Sequence, residues 1–438
     1  MPVESVLLFI LGVVVILVGL LLSIALHELG HLIPAKLFGV RVSQYMIGFG
    51  RTLFSVRRGE TEYGVKMLPL GGYISMDGMF PPDKNGHPNQ NVTTGFVQPS
   101  IEERANIIAE EHANDPDDAR AFYKLAIWKR IIIMLGGPFM NLVICVVMFA
   151  IMFMGIGTQQ VSTTIAEVSP CLPASISQTT CSSSDPVSPA KAGGLRAGDT
   201  VVSINGRAMT SADLLQSTLA ASAGTTLHLV VRRDGHEHSL EVTPGTTRES
   251  VQSSDGKVTV TEVGFIGVAL KVDQYVSQPP SVVLSTVGTQ ASATAGVILN
   301  LPSRIVSVWN AAFGSAPRSA DTPMSIVGVG RAAGEVATMP GVPLLDKLFT
   351  VLGILGSLNM ALFIFNLIPL PPLDGGHIAG ALWEGIRRQF AKLFRRRDPG
   401  PVDMTKLMPV TLTVIVIFGA MSLLLMYADI VKPVNLFH

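Results

Sequence analysis

Four stretches of this chain, residues 6–26, 131–156, 348–368 and 407–428, contain no Asp, Glu, Lys or Arg. At about 1.5 Å of rise per residue, each is long enough as a helix to cross a hydrocarbon layer about 30 Å thick. That feature predicts a polytopic α-helical membrane protein with four transmembrane helices. Composition agrees. Charged residues are 15% of the 438, against roughly 25% in soluble domains. The 32 basic and 32 acidic residues cancel, so no net charge attracts nucleic acid, and the chain is too apolar for disorder. The first stretch is longer than a signal-peptide core and lacks a basic lead-in and a small-residue cleavage site, so it reads as a retained helix.

Basic residues near the membrane set the orientation. Lys36 and Arg41 follow the first stretch; Arg120, Lys124, Lys129 and Arg130 precede the second. Arg387, Arg388, Lys392, Arg395, Arg396, Arg397 and Lys406 follow the third. After the second, no Lys or Arg occurs until Lys191. Both termini and residues 157–347 are therefore expected outside, and residues 32–130 and 371–406 in the cytosol. Cys145 falls within the second stretch. Cys171 and Cys181, on the outer side, either close a disulfide in an oxidising compartment or stay two free loop thiols.

His27-Glu28-Leu29-Gly30-His31 closes the first stretch. Positions i and i+4 share a helix face, so both imidazoles can reach one metal ion, and Glu28 beside them can take a proton from water. Polar residues ending an apolar span are costly unless they pair or ligate. A catalytic zinc takes three protein ligands and keeps a position open. The third candidate is Asp374, in Asn366-Leu-Ile-Pro-Leu-Pro-Pro-Leu-Asp-Gly-Gly-His377. It stands just past the third stretch, where Pro369, Pro371 and Pro372 must break a helix. Counting crossings brings the first and third stretches to the same side, so His27, His31 and Asp374 share one depth. The other reading of Asp374 is a solvated turn aspartate.

With these motifs the chain resembles the site-2 protease (M50-type) family of intramembrane zinc metalloproteases, in its bacterial branch of regulator-of-sigma-factor proteases. Asn366, Pro369, Leu373, Asp374 and Gly375 match the family's Asn-x-x-Pro-x-x-Leu-Asp-Gly, and Gly136-Gly137-Pro138-Phe139-Met140-Asn141 is similar to its Gly-Pro-x-x-Asn. The resemblance implies one Zn2+ held by His27, His31 and Asp374, Glu28 as catalytic base, and Asn366 lining the site. Pro369, Pro371, Gly71, Gly72 and Asn141 are further candidates for substrate contact; Asn141 can equally hydrogen-bond across helices. The implied partners are the lipid bilayer of a bacterial plasma membrane and single-pass membrane substrates. The latter would be anti-sigma factors already cut outside, or leftover signal peptides, cleaved near the cytosolic leaflet.

Residues 52–67 read as a β-hairpin turning at Arg58-Gly59-Glu60, and 71–76 as a further strand. The family places a membrane-associated β-loop here, which implies substrate capture by strand addition; a plain cytosolic hairpin packed on the helix ends is the other reading. Residues 157–270 alternate short apolar runs with turns. Ala190 to Asp199, followed by Ile204-Asn205-Gly206, resembles a bacterial PDZ domain whose Gly193, Gly194 and Leu195 would present amides to a peptide, or a domain serving as a steric filter. The segment 280–309 is expected as an amphipathic helix on the outer membrane surface or against that domain.

The expected organisation is a first transmembrane helix (1–38), a β-loop (39–80), a polar cytosolic insertion (81–130) and a second helix (131–156). An extracytoplasmic PDZ-like α+β domain (157–270), an amphipathic linker (271–347) and a third helix (348–376) come next. A basic loop (377–406) and a fourth helix (407–431) complete it. A different function class, a PDZ-bearing membrane adaptor with a structural or degenerate zinc site, would need four protein ligands and no hydrolysis.

Overall fold

The computed structural model describes residues 3–79, 120–171, 185–252, 258–314, 318, 322–402 and 407–434. Most of the expected polar insertion (81–119) and Cys181 lie outside the described residues. The elements run α1 (Val3–Leu37), β1 (Val42–Arg58), β2 (Thr61–Met76), α2 (Ile127–Ala150), β3 (Thr158–Val168), α3 (Pro189–Ala192), β4 (Thr200–Ile204), β5 (Arg207–Ala208) and α4 (Ala212–Ala220). They continue as β6 (Leu227–Arg233), β7 (His236–Val242), β8 (Gly245–Gln252), β9 (Val258–Phe265), β10 (Val268–Val276), α5 (Pro280–Leu299) and α6 (Leu301–Phe313). Last come α7 (Ile326–Thr338), α8 (Leu344–Asn366), α9 (Asp374–Leu393) and α10 (Met408–Val431). Two compact units result, residues 1–155 with 278–438, and residues 156–277.

In the helical unit, α1, α2, α8 and α10 form over the four charge-free stretches. Among the described residues a fifth helix, α5, is also long and apolar enough to cross a membrane. The segment 280–309, expected as one amphipathic helix, is instead two, because it breaks at Asn300 into α5 and α6. Ser, Thr, Ala and Gly replace much of the Leu and Ile in α5, so its mean hydropathy is 1.5 against 2.1 to 3.2 in the other four. Instead of lying free, α5 sets Val283, Val287 and Ala291 in a cluster with Phe149, Met152, Leu352 and Met360.

Glycines let α1 and α2 touch backbone to backbone. A methyl at Gly30 would collide with the Gly136 carbonyl, and one at Gly136 with that of Gly30, the close approach that small residues permit inside membranes. α1 ends where Gly39 turns left-handed (φ +81). There the Val40 amide donates to Ala35 O and the Gly39 amide to Lys36 O, at 2.9 and 3.0 Å, a Schellman cap that stops the helix within two turns of His31. At the other end of α1, Ala333 of α7 packs on Gly12 and Phe9 on Gly334. The last helix is tied in by a fully buried ion pair between Arg318 and Asp429, and Asp429 Oδ2 accepts the Ser325 amide at 2.6 Å beneath α7.

The β1–β2 pair is longer than the sequence suggested. It turns at Gly59, and Gly48 and Gly50 (φ +93 and +85) bend β1. Residues 44–47 consequently lie beside both 72–75 and 62–65 of β2, while 54–58 pair with 61–65. Tyr45 donates to Ala25 O at 2.7 Å, which docks this sheet on α1 a few residues before His27.

The second unit is a sheet of order β10-β3-β4-β6-β7 with β5 on β4, plus the β8–β9 hairpin. Its core holds Ile165, Leu195, Val201, Ile204, Leu215, Leu229 and Ile266. The expectation that Gly193, Gly194 and Leu195 present their amides to a ligand is corrected here. Those amides donate to Pro189, Lys191 and Ala190 carbonyls at 2.8, 3.2 and 2.9 Å, so the loop closes on its own helix α3. Arg233 braces it, bonding Gly194 O at 2.9 Å and Asp199 through Nε and Nη2, both at 2.7 Å. Burial pushes the Asp199 carboxyl up, but the Arg233 hydrogen bond and the Arg196 amide outweigh it and hold it below the usual carboxylate range. Cys171 is disulfide-bonded and Cys145 is a free, buried thiol.

Candidate metal centre

The end of α1, the start of α9 and the middle of α2 meet around three nitrogen and oxygen donors. His27 Nε2 and His31 Nε2 are 3.3 Å apart. Asp374 Oδ2 is 3.4 Å from the first and Oδ1 3.4 Å from the second. Ligands bound at about 2.0–2.1 Å around a tetrahedral centre stand roughly 3.4 Å from one another, so the spacing fits zinc. The donor chemistry fits as well: two imidazoles and one carboxylate suit a catalytic rather than a structural site. His31 and Asp374 are 0% and 5% exposed, and such burial is costly for a carboxylate unless it is paired or ligating.

The imidazoles are oriented from α2. His31 Nδ1 donates to Ile133 O at 2.8 Å, which leaves the Nε2 lone pair aimed at the donor triangle. Asn141 Nδ2 lies 3.1 Å from His27 Nδ1, and its buried Oδ1 has no hydrogen-bond partner. When Nε2 ligates, Nδ1 carries the proton, and the Asn141 amide with its oxygen toward the ring satisfies both groups. Gly137 lies directly under the two rings; a methyl there would sit 2.6 Å from His31 Cε1 and 2.8 Å from His27 Cε1. α9 can start beside the triangle because Gly375 and Gly376 lie against the Leu367–Ile368 and Leu370–Pro371 backbone, with no room for a Cβ.

A cavity of about 300 Å³ opens on this cluster. Glu28, Asn141, Asn366, Gly71 and Gly72 line it together with the three donors. Gly72 faces Glu28 so closely that an added Cβ would lie 2.8 Å from Glu28 Cγ. Neither proline expected at substrate, Pro369 or Pro371, is in the lining, and Pro369 is exposed in the bend; Pro372 lines the cavity instead. Sequence reasoning also missed Ile24, Phe49, Leu362 and Phe365, which form the apolar wall. Their only signal was apolar character next to the motifs, which core residues share.

The sequence profile of peptidase family M50 matches residues 15–396. The zinc metalloprotease Rip1 of Mycobacterium tuberculosis H37Rv is 33% identical over 98% of this chain and 100% of its own length. Rip1 of Mycolicibacterium smegmatis is 32% identical over 98% and 99%, and the metalloprotease MmpA of Caulobacter vibrioides 27% over 86% and 89%. With a zinc-spaced donor triangle at the end of an apolar helix and relatives matched along nearly the whole chain, this protein belongs to peptidase family M50, the site-2 protease family of zinc metalloproteases.

Proposed function

We propose that the chain hydrolyses peptide bonds inside the membrane-spanning segments of single-pass proteins, near the cytosolic leaflet of a bacterial plasma membrane. Anti-sigma factors trimmed by an earlier extracytoplasmic cut, and leftover signal peptides, are the proposed substrates. The observation that carries this reading is the position of the donor triangle. It lies where apolar helices α1 and α8 end, beside a cavity roofed by the bent β1–β2 sheet. In this arrangement both termini and the 156–277 unit face outward, and that unit acts as a PDZ-like filter on bulky outer domains.

Bound zinc supplies a Lewis acid that polarises the scissile carbonyl and acidifies water. Glu28, 5% exposed, takes the proton of the attacking water and returns it to the leaving amine. A helical substrate hides its carbonyls in internal hydrogen bonds, so it must be held extended. The side-chain-free backbone of Gly71 and Gly72 lines the same cavity as Asn366 and suits a strand laid alongside it. An adaptor with structural zinc would bring four protein ligands together; the cluster found among the described residues has three. The test is Glu28→Gln in the full chain with a single-pass reporter. Zinc content stays near one per chain while cleavage disappears, and full cleavage by this variant refutes the reading.

A further inference from the structure

One face of α2 supports both histidines: Asn141 meets His27, the Ile133 carbonyl takes the His31 proton, and Gly137 backs both rings. One helical turn before Ile133, the same buried face carries Arg130. Its Nη1 and Nη2 donate to Glu384 Oε2 and Oε1 at 3.1 and 2.6 Å, and the two side chains are only 8% and 1% exposed. Glu384 belongs to α9, the helix whose first residue is Asp374. It also accepts from Arg388 at 2.9 Å and from the Val402 amide at 3.2 Å.

α2 and α9 also meet through apolar groups: Ile378 joins the cluster of Ile133 and Met134, and Ile127 lies on Gly385. Such contacts tolerate sliding, whereas a two-pronged guanidinium–carboxylate pair fixes register. Its desolvation cost largely offsets its attraction, so a buried pair of this kind adds little net stability. We propose that Arg130 and Glu384 are positioning residues for the third metal ligand. By locking α9 to α2 they hold Asp374 in register with His27 and His31, so that one helix, α2, indexes all three donors. A slide of α9 by about 0.5 Å carries Asp374 with it, and metal–ligand distances tolerate only about 0.2 Å.

The proposal rests on the zinc-site reading, and its test separates the two. Zinc affinity of the full chain in nanodiscs is measured by competition with a chromophoric chelator, alongside helix content and melting of the metal-free form. An unaltered chain that binds no zinc refutes the site itself. Given zinc binding, Glu384→Gln is expected to weaken it about ten- to hundredfold with helix content retained. Arg388→Met is expected to leave zinc affinity unchanged, because Arg388 reaches Glu384 from the same helix and cannot set register against α2. A pair that only stabilises the fold shifts melting and leaves zinc affinity alone; that result, or an Arg388→Met loss equal to that of Glu384→Gln, overturns the proposal. If Glu384→Gln does not fold, Arg130→Lys, which keeps the charge and loses the fork, decides instead. At least threefold weaker zinc binding supports positioning, and unchanged binding refutes it.

Discussion

Replacing Gly137 by Ala adds one methyl where the two metal-binding imidazoles lean on α2. In a helix interior that exchange ordinarily favours the fold by about 1 kcal/mol, so propensity predicts a slightly more stable protein. Geometry predicts the opposite for the site. The new carbon would stand 2.6 Å from His31 Cε1 and 2.8 Å from His27 Cε1, against about 3.5–4.0 Å for carbon atoms in comfortable contact. The rings must each retreat by roughly 0.7 Å or more, several times the ~0.2 Å that a metal site tolerates. Retreat of His31 is further opposed by its hydrogen bond to Ile133 O. Changes one layer out from a metal commonly cost about ten- to hundredfold in affinity. Displacement of both histidines is expected at or above the upper end, about 2.7 kcal/mol or more. Chelator competition on purified chain measures it, with circular dichroism confirming helix content. A Gly137→Ala protein that binds zinc within threefold of the unaltered chain refutes the packing argument.

Asn141→Leu removes the group that holds the His27 tautomer and is expected to weaken zinc binding about tenfold or more without changing helix content; equal affinity counts against the role. Gly30→Leu forces α1 and α2 apart at their closest crossing; loss of folded protein in a detergent-stability assay is expected, and wild-type melting refutes it. Tyr45→Phe deletes one hydrogen bond to Ala25 O and should cost about 0.5–1.5 kcal/mol in thermal unfolding of the β1–β2 sheet region, read by amide exchange. In the 156–277 unit, the native Asp199 carboxyl is held below its unfolded value. Its contribution is therefore complete above the ordinary carboxylate range and lost as pH falls below about 4 through the lowered native value. Protection of the β6 amides should thus differ between the unaltered chain and Asp199→Asn at pH 7 and converge in acid; a pH-independent difference contradicts the assignment.

The chemistry-bearing side chains were legible because zinc demands particular residue types at particular spacings. His27 and His31 announce themselves on one helix face, and crossing parity points to Asp374, which the structure brings beside them. What escaped was carried by backbone or by missing atoms. The Ile133 carbonyl has no residue-type signature, and Gly137 works by having no side chain. Arg130 and Glu384 lie 254 residues apart, so nothing local connects them. The exposed Pro369 and the cavity-facing Pro372 are distinguished by the path of one bend, which composition does not encode. The Gly193–Leu195 loop failed for the converse reason: its glycines look like free donors until the carbonyls of α3 claim them. Helix α5 was expected as a helix but not as one apolar enough to span, because its small, hydroxylated and alanine-rich residues give a weaker apolar signal.

The donor triangle joins residues 27 and 31 to residue 374, with the whole 156–277 unit threaded between them. During synthesis at about 5–20 residues per second, the histidines leave the ribosome on the order of half a minute before the carboxylate that completes them. Until then a nascent chain holds two imidazoles, braced by α2 once that helix has been made, but no three-donor site. A chain that stops short of residue 374 consequently lacks the three-donor cluster, which is complete only once α9 has been made and has docked. Completion of the donor triangle is thereby delayed by chain order alone.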